Sequence, residues 1–541
     1  MSPSSESSSA GPAGLLPEAA DVVVVGAGVA GLFAAHFLAR AGLRPLVLEQ
    51  SYHAGGCLNG FTRKGFTFDA GDQSFEELGI VFPLLADLDL LDRFQFRRSN
   101  YRLVAPGMDA VIDSIDTLER AFLGAFPRDP TGVRSLFRAL REAEALLIPL
   151  LGASGPLYRS GARRGAALAR AGLHVARHGG RLREMMNTGA RELASAHIED
   201  RELRSFVSRI GYKNMSWAVL AGFLHCWVHD YWYPQGGLQA FCDGLVDALR
   251  ERGGEVCFKT PVARVLVADG RVEGVETARG ERIATRRVVA CGDMKRLYGD
   301  LLPPEALPAA AREEVARGDL SEALTSVYLG VDASPEQLSP ILKTQHVFYF
   351  PELRIHDPEE TADAGLHRGA WLEVSCPTLA DPSLAPPGKS VIVLQTMAPA
   401  AWLGRWGREG RATKEVYRAM KDRVAEEMIA TAEGLVPDLS GKILFRDVGT
   451  PLSAERFTFN AAGATGGWTF DPNRSLLRDR YTLITTPIEG LQTAGHYALW
   501  PGGVPSAALS ARIAALLASR PALAAVARLA ERGAARIAKR R

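Results

Sequence analysis

The chain has 541 residues, enough for two or three domains, and its 47% hydrophobic and 23% charged residues are the proportions of a folded, water-soluble protein. A net charge of +2 excludes a general nucleic-acid binder. Six scattered cysteines (Cys57, Cys226, Cys242, Cys257, Cys291 and Cys376) show no CxxC and no Cys/His ligand spacing, so free thiols in a reducing compartment are expected and no metal site.

Residues 1–20, opening MSPSSESSSAGPAG, are small and polar and are expected to be a disordered tail without a signal-peptide core. The informative stretch is 21–49. An apolar run, Val22–Val25, breaks into Gly26-Ala27-Gly28-Val29-Ala30-Gly31, an alanine-rich helical stretch follows, and a second apolar run ends on Glu49. This reads as strand, glycine turn, helix, strand and acid. Gly26 permits the turn, Gly28 lets a diphosphate approach the backbone, and Gly31 lets helix and strand pack closely. The diphosphate would rest on the helix N-terminus, where free N–H groups favour negative charge. Glu49, about 20 residues on, is placed to accept hydrogen bonds from a ribose. The segment therefore predicts dinucleotide binding.

Gly55-Gly56 follows, then Phe61, Gly65, Phe68, Asp69 and Gly71. A glycine doublet there allows a second backbone segment to pass close to the cofactor. This arrangement resembles the FAD-dependent phytoene desaturase, carotenoid isomerase and retinol saturase family, within the wider amine-oxidase-like flavoproteins. Two later segments extend the resemblance. One is Tyr233-Pro234-Gln235-Gly236-Gly237-Leu238, opening a helix over 239–250. The other is Gly490 to His496, followed by Pro501-Gly502-Gly503-Val504-Pro505 and a helix over 506–518. The resemblance implies FAD as cofactor. It implies that Val262 offers its backbone to the adenine, that Gly495 and His496 close over the diphosphate and ribityl chain, and that Gly503 and Val504 turn a helix N-terminus toward the flavin ring. Cys57 is read as a small buried side chain near the flavin, with a redox role as the alternative.

Between these segments lie two insertions. Residues 86–232 look helical, with apolar residues at helical spacing over 137–151. Residues 311–484 mix strands at 325–331, 346–350, 371–376 and 390–397 with a long helix over 413–435. Aromatics concentrate just before the chain returns to the cofactor, and Trp227, Trp232, Tyr233 and Trp468 are the candidate walls of an apolar substrate tunnel. The stretch 450–468 resembles a flavin-lining segment of the family, with Gly463, Gly466 and Gly467 for close approach. His225, His229 and Asp230 are the candidate proton carriers, although a lone His or Asp is more often a structural hydrogen-bonder. Residues 156–191 hold eight arginines against Glu184, and the last 22 residues hold seven Lys/Arg against Glu531. Such basic amphipathic stretches can lie on anionic membranes or simply be solvated faces.

The expected fold is α/β. A Rossmann-like FAD-binding domain of the two-dinucleotide-binding type is assembled from 21–85, 233–310 and 485–520. An α+β substrate domain comes from 86–232 and 311–484 with a helical lid able to contact a membrane, and 521–541 forms a basic C-terminal helix. The resemblance implies an oxidoreductase that desaturates, saturates or isomerises a carotenoid or other isoprenoid polyene by hydride transfer at flavin N5. A quinone, O2 or another protein would exchange the electrons. The alternatives are a flavin amine oxidase, an enzyme acting on a carrier-bound polyene acyl chain, and a non-enzymatic prenyl-binding carrier of the GDP-dissociation-inhibitor type. Cytoplasmic location, peripheral to a membrane, is the expectation.

Overall fold

Four valines in succession, Val22–Val25, are too apolar for a half-exposed strand and suit one covered on both faces. They form the centre of a five-stranded, all-parallel sheet in the order Glu255–Cys257, Pro45–Leu48, Val22–Val25, Val288–Ala290, Leu491–Thr493. This is a computed structural model, and it describes residues 16–151, 159, 161–355, 367, 369–398, 413–478, 482–500 and 502–538. Residues 1–15 of the expected tail, 156–158 and 160 of the basic segment, Pro501 and 539–541 lie outside the described residues.

The helix Val29–Arg40 leaves the central strand and packs against the helix Val504–Ser519, with Leu238–Glu251 beside it. Its residues are buried almost all round, from Val29 to His36 and again at Leu38. Helix and strand are close because position 31 has no side chain. A Cβ on Gly31 would stand 1.8 Å from the Gly26 carbonyl oxygen and 3.5 Å from Val24 Cγ1. An antiparallel meander, Val262–Ala268, Arg271–Thr277 and Arg282–Ala284, flanks this sheet.

Above it stands a seven-stranded sheet in the order Ile443–Gly449, Ala323–Val331, Ser390–Ala398, Leu372–Ser375, His346–Tyr349, Tyr101–Ala105, Met108–Ile112. The four strands expected within 311–484 are all present, and Lys414–Ala432 is the long helix. The purely helical reading of 86–232 needs correction. That segment contributes Phe96–Ser99, Tyr101–Ala105 and Met108–Ile112 before its helices begin at Ile115. These strands are short and their turns tight, so helical periodicity downstream dominates the sequence signal. A further small sheet places Tyr231–Pro234 between Phe75–Glu76 and Phe96–Ser99, tying the upper layer to the lower.

Among the described residues no single helix is long and apolar enough to cross a membrane. The arginine-rich segment forms the helix Gly161–Asn187, which exposes Leu168, Leu173 and Val175 beside Arg163, Arg170 and Arg177. Arg164 pairs with Asp87, and Arg181 with Glu142 and Glu184.

The contact at Gly31 is with backbone, which cannot rotate away. Gly31→Ala is therefore expected to lower stability by about 3 kcal/mol, the upper end of overpacking costs. Gly165→Ala, in open space on the exposed helix, should gain roughly 0.5–1 kcal/mol from helix propensity. Chemical denaturation of both variants checks the contrast, and equal midpoints for the two would contradict it.

Candidate functional site

Two glycine segments form one wall. Gly56, at φ +59°, brings its backbone so near the first loop that a Cβ there would stand 3.1 Å from Gly28 Cα. Gly55 N–H donates to the Ala27 carbonyl (2.9 Å), and Gly28 and Gly55 bridge in parallel. The helix Val29–Arg40 begins here with no side-chain cap and no acid in its first turn, so its leading N–H groups are left for an anion. Glu49 is buried, and its carboxylate accepts from Ala27 N–H (2.6 Å) and Ser51 N–H (2.7 Å). Burial raises its pKa above the usual carboxylate range and those backbone donors oppose the rise.

Around this wall runs a cavity of about 160 Å³. Gly26, Gly28, Glu49, Gly55, Gly56, Val262, Gly495, His496, Gly503 and Val504 all line it. Gly31 does not, because it faces the strand. The helix Val504–Ser519 also starts without a side-chain cap. Two uncapped helix N-termini, a glycine cradle that side chains would fill and a buried acid fit the diphosphate, ribose and ring of FAD. Cys57 lines the cavity as an inert thiol. Burial, the charge of Asp72 and a contact with Asn460 leave its pKa at about 12. His496 is half-buried, and desolvation lowers its pKa to about 4, so the ring is neutral. Two residues without a motif join them. Arg296 lies over the Phe459 ring at 3.7 Å, and Asp293 accepts from Tyr497 OH and Ala461 N–H, each at 2.7 Å.

A second cavity, about 410 Å³, continues from the Gly503 turn into the upper layer. Its lining is mostly apolar, with Leu147, Ile148, Met215, Phe223, Phe348, Trp371 and Phe470 among the wall residues. The four aromatics expected as walls stand one layer behind. Trp227 is packed between Tyr101 and Phe348, Trp232 donates to Asp230, Tyr233 OH donates to buried Asp69 (2.6 Å), and Trp468 donates to the Tyr497 carbonyl. Trp232, Tyr233 and Trp468 found partners for their polar tips in the protein, whereas Trp227 is held by ring packing alone and its buried Nε1 has no partner among the described residues. Gly463, Gly466 and Gly467 likewise make room for protein, against the Pro451 carbonyl, Phe470 and the His496 carbonyl.

Two of the expected proton carriers, His225 and His229, lie side by side, and the third, Asp230, is held by the framework. His225 lines the large cavity with Nδ1 2.6 Å from Glu144, whose pKa this bond lowers. His229 is exposed, with its ring 5.0 Å from that of His225. Glu144, His225 and His229 each offer a ligand atom within 4.8 Å of the others, although no metal-ligand pattern shows in the sequence. Asp230 is occupied structurally, accepting from Leu78 N–H (2.6 Å) and Trp232 Nε1 (2.9 Å).

A third cavity, about 230 Å³, is lined by His53, Phe61, Arg63, Tyr328, Lys421 and Asp447 among others. Asp72 and Thr465 line all three cavities. Asp72 lies one residue beyond the Asp69-x-Gly71 segment singled out in the sequence. No residue pattern there marks it as functional.

A sequence profile of the family described as "Flavin containing amine oxidoreductase" matches residues 29–517. The chain is similar to an all-trans-retinol 13,14-reductase of Danio rerio, 24% identical over 520 residues, with 89% of this chain and 83% of that protein covered. It is 26% identical to a chloroplastic prolycopene isomerase of an Oncidium hybrid cultivar, covering 91% and 82%. It is 27% identical to a lycopene-forming phytoene desaturase of Pseudescherichia vulneris, covering 79% and 85%. Among solved structures, a putrescine oxidase bound to putrescine shares the fold at TM-score 0.59 and 17% identity, covering 92% and 98%.

Loss of the Glu49 carboxylate removes an anchor of the first loop and a ribose acceptor together. Glu49→Ala is expected to weaken FAD binding roughly tenfold to a hundredfold, the range for a hydrogen bond to a charged group. Titration of apoprotein with FAD, followed by flavin fluorescence, measures this. An unchanged dissociation constant would remove Glu49 from the cofactor site.

Proposed function

Since this chain belongs to the flavin containing amine oxidoreductase family and uses FAD, we propose that it desaturates, saturates or isomerises an apolar polyene of the carotenoid or isoprenoid class. One observation carries the reading, the mostly apolar cavity of about 410 Å³ that begins at the Gly503 turn of the FAD cradle. The bound cofactor supplies or takes a hydride at a carbon held over its ring. The cavity wall supplies position. Phe348, Trp371 and Phe470 on one side and the helix Trp217–His229 on the other hold a flat, conjugated chain by area and shape. The relatives named for retinol, prolycopene and phytoene support the substrate class.

An amine is the second reading, favoured by the carboxyl groups of Asp72, Glu76 and Glu373 in the same cavity. The third cavity reaches Asp72 and Thr465 separately, which supports access for an external electron donor or acceptor. Membrane contact is part of the proposal. The helix Gly161–Asn187, with exposed Leu168, Leu173 and Val175 among arginines, would lie on an anionic bilayer that dissolves the polyene.

Anaerobic incubation with a panel of polyenes and diamines, following flavin absorbance, tests the substrate. Turnover or flavin reduction by polyenes alone is expected, whereas a response to amines alone would establish the second reading. Position 222 sharpens the test. Gly222 lines the cavity, and a Cβ there meets nothing within 4 Å. Gly222→Phe should keep FAD and thermal stability yet lose most polyene turnover, because the ring fills the space for the chain. Full turnover would place the substrate elsewhere. Sedimentation with anionic vesicles should retain the protein, and Leu173→Asp should release it. Equal binding of both proteins would contradict the bilayer contact.

A further inference from the structure

Three carboxyl groups enter the apolar cavity at its FAD end. Asp72 comes from the segment after the first hairpin, Glu76 from the strand Phe75–Glu76, and Glu373 from Leu372–Ser375. Glu76 accepts from Tyr231 OH (3.0 Å) and Glu373 from Tyr101 OH (3.4 Å), while His346 Nδ1 lies 3.4 Å from Glu373. Among the described residues no lysine or arginine pairs with any of the three. Carboxyl groups gathered in an apolar cavity without a cation disfavour one another's charge, and Asp72 and Glu76 are both pushed toward the neutral form. A separate observation marks the place as one that expects a donor. Gln73 is 4% exposed and lines the cavity. Its Nε2 is anchored on the Asp69 and Gly71 carbonyls, and its Oε1 has no partner.

Resting on the polyene reading, we propose that Asp72 is the proton donor of the reaction, placed where the three cavities meet and recharged through Glu76 and Glu373. In this step the O–H bond of the Asp72 carboxyl breaks and a C–H bond forms at one alkene carbon, using the electron pair of the C=C bond. The adjacent carbon, left electron-poor, takes a hydride from the reduced cofactor in a saturation. In an isomerisation it is restored when the same proton returns to Asp72 after rotation about the weakened bond. After a saturation the Asp72 carboxylate recovers a proton from the neighbouring acids, and a reduced quinone or an electron-transfer protein renews the hydride; an isomerisation leaves both unchanged.

The groups facing Asp72 all disfavour its charge. Burial, then Glu76, then Glu373 push its pKa up to about 8. Burial and Glu373 also raise the pKa of Glu76. Cys57, Tyr101 and Tyr212 are the other titratable neighbours, all with pKa raised by burial, and His346 stands behind Glu373. Asp72 is thus a neutral acid at pH 7, the state a proton donor needs. Because its folded pKa is raised, the donor form is complete well below pH 8 and disappears as pH rises through about 8.

Infrared spectroscopy of the FAD-loaded protein tests this without any substrate. The difference spectrum of wild type against Asp72→Asn is expected to show one protonated-carboxyl carbonyl band at pH 7 that shifts in D2O and fades as pH passes about 8. Persistence of that band in Asp72→Asn, or its absence from the wild type at pH 7, would overturn the proposal. Should Asp72→Asn fold poorly, the wild-type pH titration alone decides. With a turned-over polyene, Asp72→Asn should lose roughly 10²–10⁴-fold in kcat with FAD content unchanged. Asp72→Glu should recover part of it, and product made in D2O should carry deuterium after saturation. If no polyene reacts while the band behaves as expected, the substrate class is wrong and the proton store stands. If polyenes react and Asp72→Asn keeps wild-type kcat, the proton store fails alone.

Discussion

The structure depends on a stretch of bare backbone contact. Gly28 and Gly56 touch with no side chain between them, and that approach fixes where the whole segment 55–76 must run. From it the hairpin Gly60–Arg63 and Phe66–Asp69 extends along the cofactor side. Asp69 then reaches Tyr233 OH and the Leu238 N–H, locking the start of the helix Leu238–Glu251. Three residues later Asp72 arrives at the meeting point of the cavities. The cradle, the return of the chain and the chemical group at the junction are consequences of one steric fact. Any side chain at Gly56 would have to separate the two loops.

A second consequence is electrostatic. The cavity above the cofactor site is mostly apolar, so a polar group that enters it is costly unless it finds a partner or changes its protonation state. Tyr233, Trp232, Trp468 and Asp230 found partners and became part of the framework. Among the described residues Asp72 found none, and Glu76 and Glu373 found only tyrosine hydroxyls and a histidine. An apolar cavity that ends in acids pushed toward the neutral form differs from one lined by hydrocarbon alone. It can hold a polyene along its length and offer acidity at a single point.

The cofactor side was legible from sequence because its logic is local. Gly26, Gly28, Gly31 and Glu49 sit within a strand, a turn, a helix and a second strand, and spacing along the chain equals spacing in space. Gly55, Gly56 and the Gly503 turn needed the family resemblance, since their partners lie far away in sequence. The substrate side was legible only as composition. An aromatic cluster announces burial, and burial does not separate a core ring from a cavity wall, so Trp227, expected as a wall, is core, and Phe348, which the sequence did not single out, is wall. The carboxyl cluster was invisible because a loop residue, Asp72, is brought together with Glu76 and Glu373 from two different sheets. His225, His229 and Asp230 drew notice by their neighbours in sequence, while their neighbours in space are Glu144, each other and the Leu78 amide.

The account's central claim is that cofactor ring, polyene and Asp72 converge on one point. An experimental structure of the FAD-loaded protein with a bound polyene tests it most directly. The account predicts the flavin ring between Asp72 and Gly503, and the chain running from it past Gly222 and Phe348. A ring away from that junction, or a polyene outside this cavity, would contradict it.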